Sequence, residues 1–148
     1  KRDWSSDVCS SDLAGNAGVT ERVFYPADYP ETIAIGSIDE NFQRSSFSNT
    51  GRNLDFLAPG NRIFSTVPDN WYAVLSGTSM AAPFATGVAA LLLSCAKKKG
   101  MADRFRTPEA YIEEFKKHVI SASNMNFENK DFYQGFGIID PKRLVESL

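Results

Sequence analysis

Leu75-Ser76-Gly77-Thr78-Ser79-Met80-Ala81-Ala82-Pro83 is the stretch on which the fold turns. It joins a short β-prone segment, residues 71–75, to the longest apolar run in the chain, residues 80–96. Gly77 allows a backbone turn that a side chain would obstruct. Pro83 is tolerated only in the first turn of a helix, where its missing N–H would have had no partner. The stretch therefore predicts a helix starting at Thr78 or Ser79. Its interior, residues 84–95, sets Val88, Leu91, Leu92 and Leu93 among alanines and Gly87 with no charge on any face, which predicts protein on all sides. A serine on the first turn of such a helix meets unpaired N–H groups and the positive end of the helix dipole. Its hydroxyl is either a helix cap or a nucleophile.

Upstream of this stretch, residues 63–67 and 71–75 flank Pro68-Asp69-Asn70 in the pattern of a β-hairpin that delivers the chain to Ser79. Residues 54–58 read as a short strand stopped by Pro59-Gly60, and residues 45–51 are turn-rich. Residues 32–38, with Ile33, Ile35 and Ile38, read as a buried strand, preceded by a Pro- and aromatic-rich loop at residues 24–30. Ala14-Gly15-Asn16-Ala17-Gly18 marks a turn with positive-φ positions, and by itself is only a loop. It lacks the G-x-G-x-x-G spacing and following helix of a dinucleotide site. Residues 1–13 repeat Ser-Ser-Asp with too few apolar residues for a strand or helix face, and read as a loop or disordered tail.

Downstream, residues 97–100 supply cations and a glycine stop to the apolar helix. Thr107-Pro108-Glu109 is a helix start. Tyr111, Ile112, Phe115, Val119 and Ala122 then fall at helical spacing opposite Glu113, Glu114, Lys116 and Lys117. His118, the only histidine, lies late on that helix and suits a structural or surface role. Residues 123–131 read as a polar loop, and Asp140 as the cap of a last helix ending at Leu148.

The 148 residues fit one modest domain, and their 43% hydrophobic content is enough to bury a core. A net charge of −2 leaves no basic footprint, and Lys97-Lys98-Lys99 is a solvated patch rather than a stripe, so nucleic acid is not an expected partner. Residues 80–96 include Pro83, Thr86, Gly87 and Ser94 and fall short of the roughly twenty strongly apolar residues of a membrane span, so no membrane is expected either. Cys9, Cys95 and a single histidine make neither a disulfide framework nor a zinc site. No apolar core of a signal peptide follows Lys1-Arg2.

The string G-T-S-M-A-x-P at residues 77–83, followed by a small-residue helix with Gly87, resembles the nucleophile segment of the subtilisin-like serine proteases, the subtilases. It is not the G-x-S-x-G elbow of α/β-hydrolases, because Ala81 stands where that motif needs its second glycine. Three other segments carry the resemblance: Ala14-Gly15-Asn16, the run from Tyr25-Pro26 through Ile35-Gly36, and the closing Tyr133-Gln134-Gly135-Phe136-Gly137-Ile138-Ile139-Asp140. It implies an α/β domain of three layers, with a mostly parallel sheet and a buried central helix opened by Ser79. It also implies serine endopeptidase activity on polypeptide substrates, with Ser79 as nucleophile and the Asn16 side chain and Ser79 N–H as oxyanion donors. Ala14, Gly15 and Phe24 would then contact substrate, and the bulk of Phe24 would shorten the pocket for the side chain before the scissile bond. Phe84 replaces a histidine usual after the motif proline, one that takes no part in the triad.

In subtilases the order is Asp, His, Ser, the first two in D-[ST]-G and H-G-T contexts, and neither context occurs here. Residues 14–148 are therefore expected to be the C-terminal part of a subtilase catalytic domain, inactive alone, with Asp and His on sequence preceding residue 14. Residues 1–13 depart from the family's apolar strand at that point and resemble translated sequencing-adapter DNA, so they are expected to be a non-native or disordered tail. Some members hold a cation around Tyr29-Pro30 and Asp55 through backbone carbonyls. Ala27 stands where that loop's glycine is expected, so no cofactor is predicted, with structural calcium in the intact enzyme left open. The alternative is a non-catalytic subtilase-like binding or scaffold domain. Extracellular or periplasmic residence is favoured by the resemblance, although intracellular subtilases exist; oligomeric state is not legible.

Overall fold

The computed structural model describes residues 11–122 and 130–148. The expected tail at residues 1–10 and the polar loop at residues 123–129 lie outside the described residues.

Ile-Ala-Ile-Gly-Ser-Ile is buried at every position and forms the middle strand of a parallel sheet, β1 (Ser11–Leu13), β2 (Ile33–Ile38), β3 (Phe56–Pro59). A strand covered on both faces is apolar throughout instead of alternating. Ile33 and Ile35 join Phe56 and Ala58 in the cluster on the helix side, while Ala34 and Ile38 join Ala14, Val23, Leu54 and Leu57 on the other. Parallel strands are usually connected by helices. Here residues 14–32 and 39–55 make both crossovers as loops.

The strand β1 corrects the expectation of a tail as far as residues 11–13 are concerned: Ser11, Asp12 and Leu13 pair with Ile33, Ala34 and Ile35. The ladder is made by peptide groups, so a polar Ser-Asp-Leu sequence can occupy it, whereas side-chain periodicity gave no sign of it. Beyond β3 the closing segment adds a further parallel bridge, Leu57 to Ile138. The Leu57 N–H donates to the Gly137 carbonyl (2.9 Å) and the Ile139 N–H to the Leu57 carbonyl (3.0 Å). Gly135 makes this approach feasible, since a Cβ there would lie 2.3 Å from the Asp55 carbonyl oxygen.

The expected hairpin forms from β4 (Ile63–Val67) and β5 (Trp71–Leu75), with Asp69 and Asn70 at φ 65° and 60° in its tip. The two strands expose stacked rings of Phe64 and Tyr72, 5.3 Å apart. From the hairpin the chain enters α1 (Thr78–Lys98), which packs its small residues Ala81, Ala85 and Ala89, with Val88 and Leu92, against the sheet. The prediction of protein on all sides needs correction. Pro83, Gly87, Ala90, Leu91 and Ser94 form an exposed stripe, because among the described residues only one side of the helix has neighbours. By length and composition alone α1 is long and apolar enough to cross a membrane, contrary to the shorter run read from the sequence; its face on the sheet accounts for the buried part of that apolar composition.

A 3-10 turn (Ala102–Phe105) leads to α2 (Pro108–Ala122), where the Thr107 hydroxyl accepts from the Ala110 N–H at 3.2 Å and caps the start. Phe115 on α2 meets Phe56 edge-on at 6.1 Å, fixing the helix to the sheet. Lys116 does not lie on a solvated face as its neighbours Glu113 and Lys117 do: it is half-buried and paired with Asp55. The last helix, α3 (Pro141–Glu146), is capped as expected by Asp140, whose carboxylate accepts from the Lys142 and Arg143 N–H groups.

Candidate active site

Four N–H groups at the start of any helix lack intrahelical acceptors. At α1 the N-cap position is Gly77, with no side chain to offer, and the acceptor comes from far away in sequence. Asn16 Oδ1 accepts from the Thr78 N–H at 2.8 Å and from the Thr78 hydroxyl at 3.0 Å, across 62 positions. With Oδ1 committed, the amide nitrogen is the free end of that side chain, and it lies 3.4 Å from where a Cβ on Gly77 would stand. The approach is clamped from below by the Gly77 N–H donating to the Gly60 carbonyl at 2.8 Å. Ser79, the next residue after Thr78, is exposed. The structure thus brings Asn16 and Ser79 to one helix terminus, and the capping role falls to Asn16 and not to the serine hydroxyl.

Asn16 is held by a residue that sequence reasoning missed. Asn49 is fully buried and its Oδ1 accepts from the N–H groups of Ala17 and Val19, each at 3.0 Å. Its Nδ2 donates to the Ala14 carbonyl at 3.1 Å, and its backbone N–H to the Gly15 carbonyl at 2.9 Å. One side chain therefore fixes the whole turn. Gly15 has φ +105°, and a Cβ on it would lie 2.3 Å from Asn49 Nδ2 and 2.7 Å from the Phe24 ring, so glycine is the residue the geometry admits. Within the turn-rich residues 45–51 nothing local marks Asn49 as different from its neighbours; only its long-range partners do.

Phe24 is 38% exposed and lays its ring over Gly15, so these two share one surface beside Asn16. Ala14 lies beneath them, wholly buried: its N–H donates to the Ile35 carbonyl and its carbonyl accepts from the Phe24 N–H, so it anchors the turn to β2. His118 sits on α2 with Nε2 3.5 Å from Glu114 Oε2, and burial, the largest influence, lowers its pKa from the ordinary value. Its polar surroundings are Glu114, Lys117 and Arg104, a part-buried cluster between α2 and the 3-10 turn and not the end of α1.

Around Tyr29 and Asp55 the polar groups are paired with one another. The Thr32 hydroxyl lies 3.3, 3.1 and 2.8 Å from the carbonyls of Pro26, Ala27 and Tyr29. Buried Asp55 accepts from the Ala34 N–H at 3.0 Å and is bridged to Lys116 at 2.9 Å and Lys130 at 3.4 Å.

A parallel sheet, a helix opened by Gly-Thr-Ser, and an asparagine from the turn after the first strand capping that helix define a subtilisin-type arrangement. The profile of the subtilase family, peptidase S8, matches residues 8–137, and the chain belongs to that family. Subtilisin E of Bacillus subtilis is 48% identical over 93 residues, 61% of this chain and 24% of that protein. Thermitase of Thermoactinomyces vulgaris is 50% identical over 91 residues, 62% of this chain and 32% of that protein. Among solved structures, the prenylagaramide maturation protease PagA superposes with a TM-score of 0.75 at 30% identity, covering 93% of this chain and 50% of that one. A lanthipeptide protease shares the fold with a TM-score of 0.78 at 23% identity, over 92% of this chain and 49% of its own. The chain thus spans a quarter to a third of the length of these sequence relatives and half that of the solved structures.

Proposed function

We propose that this chain is the C-terminal part of the catalytic domain of a subtilisin-type serine endopeptidase, with Ser79 the nucleophile. Ser79 Oγ attacks the carbonyl carbon of a peptide bond as a general base removes its proton. The carbonyl oxygen, now an oxyanion, accepts from Asn16 Nδ2 and from the Ser79 N–H at the positive end of α1. Collapse expels the amine, which takes the proton back from the base, and water repeats the sequence to release the acid. The base and its carboxylate partner come from a histidine and an aspartate outside residues 14–148. The observation that supports this assignment is the pair of bonds from Thr78 to Asn16 Oδ1, which leave the amide nitrogen as the free end of that side chain at the start of α1, next to Gly77.

Gly15 and Phe24 line the site for the side chain before the scissile bond, and the Phe24 ring limits it to small or medium residues. Polypeptides are the substrates, and the 148 residues alone have no peptidase activity. A fluorophosphonate probe should label the active full-length protein, and Ser79→Ala should abolish the label. A folded full-length form that stays unlabelled would remove the assignment and favour a binding or scaffold domain, as would upstream sequence lacking D-[ST]-G and H-G-T. Peptidase activity from the isolated 148 residues would overturn the division of the triad.

A further inference from the structure

Loop carbonyl oxygens and a buried carboxylate make the kind of donor set that holds a hard cation, and some subtilases hold one in this loop. The residues of this chain do not fit such an ion. The Thr32 hydroxyl oxygen already stands in front of the Pro26, Ala27 and Tyr29 carbonyls, the fourth carbonyl, that of Thr32, accepts from Lys116 Nζ at 3.3 Å, and the same ammonium lies 2.9 Å from Asp55 Oδ2. Lys130 takes the other carboxylate oxygen at 3.4 Å and lies 4.8 Å over the Phe136 ring. One buried carboxylate thus faces two ammonium groups, and a divalent ion entering beside them would be repelled by both unless one left. Asp28 lines the same hollow, but its carboxylate is engaged by the Asn53 amide at 2.8 Å.

We propose that Lys116 is a tethered cation: its ammonium replaces a bound metal ion between Asp55 and the Thr32 carbonyl, so that this side of the domain holds together without calcium. Unlike a free ion, the charge is carried on α2, and it therefore also joins that helix to β3 and to the loop before β2. This inference rests on the fold and on Asp55, Thr32 and Lys116, and is independent of the role of Ser79.

The test is thermal melting of the full-length protein as free calcium is raised from the micromolar into the millimolar range, the window of weak extracellular calcium sites. The wild type should show no rise across the millimolar part. Lys116→Ala should melt lower without calcium and recover part of the loss as calcium is added, and Lys116→Arg, which keeps the charge, should remain as flat as the wild type. A wild-type rise of about 2–4 °C or more in that window would overturn the proposal, because an ion would then be entering with the ammonium in place. So would a Lys116→Ala protein that melts like the wild type at every calcium level. Should Lys116→Ala fail to fold, the wild-type and Lys116→Arg curves decide: both flat supports the tethered charge, and a calcium response in either refutes it.

Discussion

At the scale of single residues, Asn16 has one end of its amide engaged by α1, and the proposed function gives the other end a separate task. Its oxygen caps α1 through Thr78 and its nitrogen is the end left free. The tasks are separable by substitution. Asn16→Asp keeps an acceptor for the Thr78 N–H and removes the donor, so in the full-length enzyme melting should stay near wild type while turnover falls about a hundred- to a thousandfold, a size carried over from subtilisin, itself a member of this family. Asn16→Ala should lose both, with stability down by about 1 kcal/mol as for a deleted cap. Equal melting of the two variants would show that the Thr78 bonds contribute nothing to the helix. The Ser79 and Asn16 positions were legible in the sequence because short strings mark them. Asn49 was not, since a buried amide that ties Ala14, Ala17 and Val19 together is defined by partners 30 to 35 positions away.

At the scale of elements, propensity and periodicity located the hairpin, α2 and the Asp140 cap, because each is decided by residues within a few positions of one another. They failed where distant charges decided. Lys116 looked solvated on the helical wheel, and it is half-buried because Asp55, on the strand edge, needs a counter-charge. They also failed at β1, where the ladder is made by backbone alone. His118 gives α2 a pH dependence whose direction is fixed by its burial. Its pKa in the folded chain is lowered, so below the unfolded value of about 6.5 the unfolded chain binds a proton that the folded one resists. Its contribution is complete above that value and is lost as the pH falls below it. The melting temperature of wild type should therefore drop more steeply from neutral pH toward pH of about 5 than that of His118→Gln. Parallel curves would mean that Glu114, at 3.5 Å, compensates the protonated ring in full.

At the scale of the whole molecule, α1 carries an exposed stripe and β1, among the described residues, pairs on one side only, in a chain that spans only part of the length of the family members it matches. A helix uncharged up to its last turn and, among the described residues, packed on one side only accords with the proposed division of the catalytic residues between this chain and sequence outside it. The two helix-free crossovers have a different consequence. With loops at residues 14–32 and 39–55, no local helix nucleates between the first and third strands, and the bonds that close the structure join residues 35, 62 and 84 positions apart. Loop-closure entropy must be met before any of those bonds forms. Recovery from denaturant should therefore be sluggish, on the order of seconds or slower by far-ultraviolet circular dichroism, with partly assembled chains prone to clump as concentration rises. A millisecond recovery, insensitive to concentration, would mean that order spreads from some nucleus other than these distant pairings.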